Sequence, residues 1–179
     1  PELIKKFFVK KNSIVCAGTY GKTSTSALLS YILKKSDYNP SYMFGGLVQN
    51  NIDSAELTES DWSVLEGDEY KTARWDISPK FAHYSPTHLL LTSTIWDHAD
   101  IYETEEAYFA EFNKLVNNIP SEGLIIASEN VSTINFQKTA LKYGQSDKAD
   151  YKYSNVVTDK NGISFQIEHN NSVFMIKSP

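Results

Sequence analysis

Three groups of residues in this sequence have the types and spacing to act on a bound anion. The first is Gly18-Thr19-Tyr20-Gly21-Lys22-Thr23-Ser24, within "VCAGTYGKTSTS". Two glycines allow a tight turn that aims successive backbone N–H groups at a phosphate. A lysine after the second glycine would meet the outer phosphates, and the next threonine hydroxyl would take a metal ion. The run departs from the common phosphate-loop pattern at one place, because Cys16 stands where that pattern opens on glycine. The competing reading is a strand–turn–helix junction that happens to contain Gly-Lys-Thr.

The second group is Glu66, Asp68 and Glu69 in "VLEGDEY". A carboxylate closing a buried strand beside a phosphate loop is a natural second anchor for magnesium, since hard oxygen ligands suit that ion. Glu66 ends the strand directly, whereas Asp68 and Glu69 read equally well as a solvated acidic turn. The third is His98 in "WDHAD". Imidazole prefers zinc, copper or iron, so ligand chemistry alone places no magnesium there. A structural histidine fits the same position.

These groups need elements to bring them together. "SIVCA", "DWSVLE", "THLLLTST" and "GLIIAS" are short apolar runs of strand length. Between them lie helical patterns over Lys22–Lys35 and Glu103–Asn118, closed by Pro40 and Pro120. In the first of these, Ala27, Leu28, Tyr31 and Ile32 carry the apolar spacing. A further helix is expected over "NVSTINFQKTALKY", stopped by Gly144, and a short amphipathic one over "PELIKKFFVKKN" with Leu3, Phe7 and Phe8 inward. "SYMFGGLVQNN" reads as a glycine-interrupted loop or short strand. From Tyr151 onward the alternation of apolar and polar residues, broken at Lys160-Asn161-Gly162 and Asn170-Asn171, predicts an antiparallel ribbon.

Strands alternating with helices predict an α/β fold: a mostly parallel sheet covered by helices on both faces, with a C-terminal β-ribbon. Ligands of such sheets sit at the carboxyl ends of the strands, which is where all three polar groups fall. The formal net charge of -5 argues against non-specific nucleic-acid binding. A single cysteine makes a reducing, cytoplasmic setting the simpler expectation. No apolar run reaches membrane-spanning length. A start at Pro1-Glu2 without methionine suggests an excised fragment.

"GTYGKTSTS", "EGDEY" and "DHADIY", in this order and spacing, resemble the central ATP-binding domain of the Mur ligase family, from about Leu3 to about Tyr143. The family loop is G-T-x-G-K-T, which puts Cys16 in the strand and starts the loop at Gly18. The segment "SPKFAHYSPTHLLL" is most similar to the murein-peptide-ligase branch, and the L-alanine-adding branch is its close relative. The resemblance implies a three-layer, P-loop-type fold, with residues 1–150 as the core of the central domain and 151–179 as the ribbon that begins its remainder. It implies a UDP-binding domain before this chain and another domain after it, so that the fragment alone would be inactive.

For function, the resemblance implies an ATP-dependent ligase that joins a peptide amine to the lactyl carboxylate of UDP-N-acetylmuramate through an acyl phosphate. ATP and Mg2+ would be the cofactors, with UDP-N-acetylmuramate and a peptide or amino acid as partners. Gly18, Thr19, Gly21, Lys22, Thr23 and Ser24 would bind the nucleotide. Lys22, Glu66 and His98 would be catalytic, with Thr23 and Glu66 on one magnesium and His98 on a second. Phe112 stands where branches adding other amino acids carry a carbamylated lysine, which agrees with the two muramate-loading branches. Tyr20, Ser93, Ile95, Gly67 and Lys71 depart from the usual family residues. Those departures keep open a nucleotide-binding module or degenerate homologue without ligase activity.

Overall fold

The computed structural model describes residues 2–48 and 52–178. Pro1 of the expected opening helix, Gln49-Asn50-Asn51 of the glycine-interrupted segment and Pro179 at the ribbon's end lie outside them. Helices are α1 (Glu2–Phe7), α2 (Lys22–Lys35) and α3 (Glu105–Asn117). Strands are β1 (Asn12–Ala17), β2 (Ser41–Met43), β3 (Ala55–Glu56), β4 (Trp62–Gly67), β5 (Lys71–Ala73), β6 (Asp76–Pro79), β7 (His88–Leu91), β8 (Ile125–Ser128), β9 (Leu141–Gly144), β10 (Tyr151–Asp159), β11 (Gly162–His169) and β12 (Ser172–Ser178). All but β5 and β6 form one sheet, in the order β12-β11-β10-β9-β8-β7-β1-β4-β2-β3. Pairing is parallel from β10 through to β2 and antiparallel at β2–β3 and through the ribbon β10–β11–β12.

Strand alternation sorts the core into two layers. Val15, Ala17, Leu65, Leu89, Leu91, Ile125 and Ala127 face α3 and bury Tyr108, Phe112, Leu115 and Val116. Ile14, Cys16, Val64 and Leu90 face the other way, towards Ala27, Leu29 and Leu33 of α2. The bounds of α2 agree with the sequence expectation, but the face it buries does not. Ser26, Ala27 and Ser30 are buried, while Leu28, Tyr31 and Ile32 are exposed. Small residues let the helix axis lie close over β1 and β4.

Leu28 instead lines an apolar groove of about 610 Å³ with Leu90, Ile126, Tyr143, Tyr153 and Phe165. The sheet is therefore covered on both faces only at its centre. Among the described residues the α2 side is open over β8 to β11, so the helices that flank the sheet on both faces cover it unevenly.

Two further expectations fail. In α1, Leu3 and Phe7 point to solvent and Ile4 packs on the core instead, while Phe8, as expected, and Val9, both just after the helix, also pack there. Residues 130–140 are not helical and run irregularly into β9. Val131, Thr133, Ile134 and Thr139 are β-branched and poor helix formers. Contacts distant in sequence hold the segment. Asn135 N–H donates to Asn113 Oδ1 at 2.9 Å, Thr133 meets Thr94 at 3.0 Å, and Lys138 donates to the Ile119 carbonyl. Burial of Val131 and Ile134 follows from that path.

Gly67 has a packing reason. A Cβ there would fall 2.6 Å from Val15 Cγ1 and 2.9 Å from Ala17 Cβ. Val15 is stiff and fully buried, so Gly67→Ala should destabilise the chain by about 1–3 kcal/mol, read as a lower denaturation midpoint.

Candidate active site

β7, β1 and β4 are parallel neighbours, so their carboxyl ends carry the three polar groups onto one edge of the sheet. After β1 the chain turns at Gly18 (φ 133°) and Gly21 (φ 83°) before entering α2. A side chain at Gly18 would collide with Thr92 and Ser93, the nearest atom being Thr92 Oγ1 at 2.4 Å. Only glycine allows the loop to lie this close to the end of β7.

The loop is braced from beneath. Thr19 N–H donates to the Ser93 carbonyl at 3.0 Å. The Thr19 hydroxyl donates to the Ile95 carbonyl at 2.7 Å, accepts from Ile95 N–H at 2.9 Å and meets Tyr108 OH at 2.9 Å. Tyr20 N–H donates to Ser93 Oγ at 3.0 Å, and Thr92 Oγ1 donates to the Tyr20 carbonyl at 2.6 Å. Ser93 and Ile95, two of the departures, thus act on the loop, Ile95 through its backbone alone. The Tyr20 ring itself stays exposed.

Beyond the brace, α2 starts at Gly21 with no side-chain cap. The first-turn N–H groups of Lys22, Thr23 and Ser24 have no carbonyl within the helix to bond, and they carry the positive end of its dipole. That is an anion-binding geometry. Of the sequence-assigned loop residues, Gly21, Lys22, Thr23 and Ser24 form it, whereas Gly18 and Thr19 shape and anchor it.

Thr23 Oγ1 donates to Glu66 Oε1 at 2.7 Å, and the other oxygen of Glu66 accepts Gly45 N–H at 2.6 Å. Gly46 (φ 106°) packs over Thr23, where a Cβ would come within 3.3 Å of its methyl. The contribution of Gly45-Gly46 was missed from sequence; two glycines directly after an apolar strand were the available signal.

His98 does not join Thr23 and Glu66. Its Nε2 lies 3.0 Å from Glu69 Oε1, and its ring packs on Tyr70 with centroids 4.2 Å apart. The backbone at His98 is left-handed (φ 58°), a costly conformation for a non-glycine residue. It is held there by Asp97 Oδ1, which accepts His98 N–H at 2.7 Å, and by the N–H groups of Ile101 and Tyr102 on its carbonyl.

Glu69 is not the solvated acid that its neighbours in sequence suggest. It is 1% exposed, and the Lys22 ammonium sits 2.9 Å from Oε1 and 2.8 Å from Oε2. The ammonium also donates to the carbonyls of Gly18 and Thr19 at 2.8 and 3.0 Å. Tyr102 OH donates to the Glu69 carbonyl at 2.6 Å, and burial, helped by the charges of Glu111 and Glu69, pushes that phenol far above its ordinary range. Asp68 turns outward to Lys80, and its carboxyl is held below the usual range by Lys80 and the Tyr70 N–H despite its burial. Cys16, deep in β1, has its thiol pushed up to about 12 by burial and takes no part in the chemistry.

As a metal site the edge offers the adjacent oxygens of Thr23 and Glu66. These are hard donors that suit an ion keeping several waters and phosphate oxygens, as magnesium does. Among the described residues no three His, Cys, Asp or Glu side chains gather to hold a metal alone.

A mostly parallel sheet with a glycine-bounded loop between an interior strand and the next helix defines a P-loop-type α/β domain. Comparison with known proteins narrows the class: the chain belongs to the Mur ligase middle domain family, whose model matches residues 16–179. It is 39% identical over 140 residues to the UDP-N-acetylmuramate–L-alanyl-gamma-D-glutamyl-meso-2,6-diaminoheptandioate ligase of Escherichia coli, covering 78% of this chain and 30% of that protein. It is 30% identical over 163 residues to the UDP-N-acetylmuramate–L-alanine ligase of Cytophaga hutchinsonii, covering 88% and 34%. Its fold superposes on the UDP-N-acetylmuramate:L-alanyl-gamma-D-glutamyl-meso-diaminopimelate ligase of Neisseria meningitides with a TM-score of 0.84 at 26% identity, covering 98% of this chain and 58% of that one. The chain spans about a third of the length of the curated relatives it matches.

Proposed function

We propose that this chain is the ATP-binding part of a carbon–nitrogen ligase that joins a peptide amine to the lactyl carboxylate of UDP-N-acetylmuramate. The observation that carries this reading is the set Lys22, Thr23 and Glu66 around an uncapped helix N-terminus, at the edge where His98 also lies. The free N–H groups of Gly21 to Ser24 would cradle the β- and γ-phosphates of ATP. The Lys22 ammonium would follow the γ-phosphoryl group as it moves to the carboxylate, offsetting charge on its outer oxygens. Thr23 and Glu66 would hold magnesium, which supplies further charge neutralisation when bound. His98 would face the reacting carboxylate from the end of β7, where the family resemblance puts a second ion. The amine then displaces phosphate from the acyl phosphate, giving the amide.

The peptide-adding branch is favoured over the L-alanine-adding one by the higher identity of its relative, 39% against 30%. Assay of the intact protein with ATP, UDP-N-acetylmuramate and either the tripeptide L-alanyl-γ-D-glutamyl-meso-diaminopimelate or L-alanine tests the choice. Faster turnover with the tripeptide is expected, and equal or better use of L-alanine overturns it. Absence of turnover with both, with nucleotide binding intact, would favour a binding module. On the metal side, Glu66→Gln should remove most of the magnesium-dependent gain in affinity for a non-hydrolysable ATP analogue. Its metal-free affinity should not fall, since a negative charge beside the phosphates is removed, and titration calorimetry with and without EDTA separates the two effects.

A further inference from the structure

We propose that Glu69 is a positioning residue that governs both Lys22 and His98, a role that rests on the phosphate-loop reading above. Its carboxylate is buried, and its polar surroundings are the Lys22 ammonium, His98 Nε2 and the Tyr102 hydroxyl on its own carbonyl. Both working side chains are themselves mostly covered, at 14% and 18% side-chain exposure. The Lys22 contact is off the hydrogen-bonding direction at Oε2, so one carboxylate oxygen has the ammonium's charge but no aligned donor. The ammonium is held by one aligned hydrogen bond to Glu69, at Oε1, and a partner of higher charge can displace it.

A bound triphosphate is such a partner. Lys22 donates to Gly18, Thr19 and Glu69, so a nucleotide that engages it must draw the ammonium away from a buried counter-charge. That transfer costs the buried ion pair and so weakens binding. Glu69 meanwhile keeps its contact to His98. Because the His98 backbone is already fixed in the left-handed region, the Glu69 contact at 3.0 Å sets which way the ring turns. One carboxylate therefore opposes nucleotide binding while aligning the group that faces the acceptor.

Opposite effects on binding and turnover distinguish this role from a merely structural one. Glu69→Gln keeps the shape and removes the charge. The intact E69Q protein should bind a non-hydrolysable ATP analogue in EDTA at least about fivefold more tightly, as expected for deleting a negative charge within a few ångströms of the phosphates. Its kcat should fall at least about tenfold. Glu69→Asp restores the charge but is too short to reach both partners, so its affinity should return towards that of the unsubstituted protein while kcat stays low. Unchanged or weaker binding in E69Q, with Lys22→Ala having lost nucleotide, overturns the proposal and leaves the loop reading standing. Undiminished binding in K22A overturns the loop reading and this proposal with it.

Discussion

Replacing Lys22 with alanine should lower ligation by about a thousandfold and remove measurable nucleotide binding, on the scale seen when a preorganised donor to a developing charge is deleted. Two neighbouring lysines are engaged elsewhere: Lys80 is committed to Asp68, and Lys34, in the last turn of α2, pairs with Glu56. The substitution should also cost stability, because it leaves Glu69 buried with His98 as its remaining side-chain partner. Removing one member of a buried ion pair costs about 3–5 kcal/mol. The two effects separate in the double variant K22A/E69Q. Its melting temperature should recover most of the loss, because the orphaned charge is gone, while binding and turnover stay lost. A double variant that regains binding would show that Lys22 acts by neutralising Glu69 and not by holding phosphate.

The second large effect lies away from the phosphates. Phe112 on α3 is fully buried, with ring centroids 5.4 Å from Phe81 and 5.1 Å from Tyr108. Phe112→Ala should destabilise the chain by about 3–5 kcal/mol, through lost burial and the cavity left behind. That corresponds to a melting temperature lower by on the order of 10 °C for a domain of this size. The loss should reach the loop as well. Tyr108 carries the hydroxyl that meets Thr19, so a collapsing ring stack loosens the brace under Gly18 to Gly21. F112A should therefore bind nucleotide more weakly even well below its melting point, and F112L, which refills most of the volume, should recover both properties together. Full affinity in F112A at low temperature would show that the brace does not depend on the stack.

The glycine-bounded loop after β1, the strands around it and the ribbon were legible because their signals are local. Apolar runs, glycine pairs and turn residues act within a few positions of themselves, and the bounds of α2 follow from them directly. Glu69 was not legible, since three acids in one short turn look solvated until Tyr102, from beyond β7, closes over the last of them. The false helix at 130–143 failed for the same reason: its apolar spacing was helical, but its hydrogen bonds are taken by Asn113, Thr94 and Ile119. Leu3, Phe7 and Leu28 show a third kind of miss. Periodicity says that one face is apolar, and only the finished sheet decides which apolar residues find a surface to cover.

The position of β1 has a further consequence, for the order in which this chain can fold. It is an interior strand of the sheet, and its partners come much later in the sequence. Ile14 pairs with Val64 on one side and with His88 on the other. During synthesis its apolar residues must wait, unpaired on both edges, until β4 and β7 have emerged. Parallel pairings between such distant segments close slowly and leave strand edges open to wrong partners in the meantime. Gly18 to Lys22 follow β1 directly, so the loop acquires its shape only when the end of β7 arrives to brace it. On the proposed function nucleotide would recognise that shape, and it is thus expected to act late, by trapping the assembled sheet and not by helping it to nucleate.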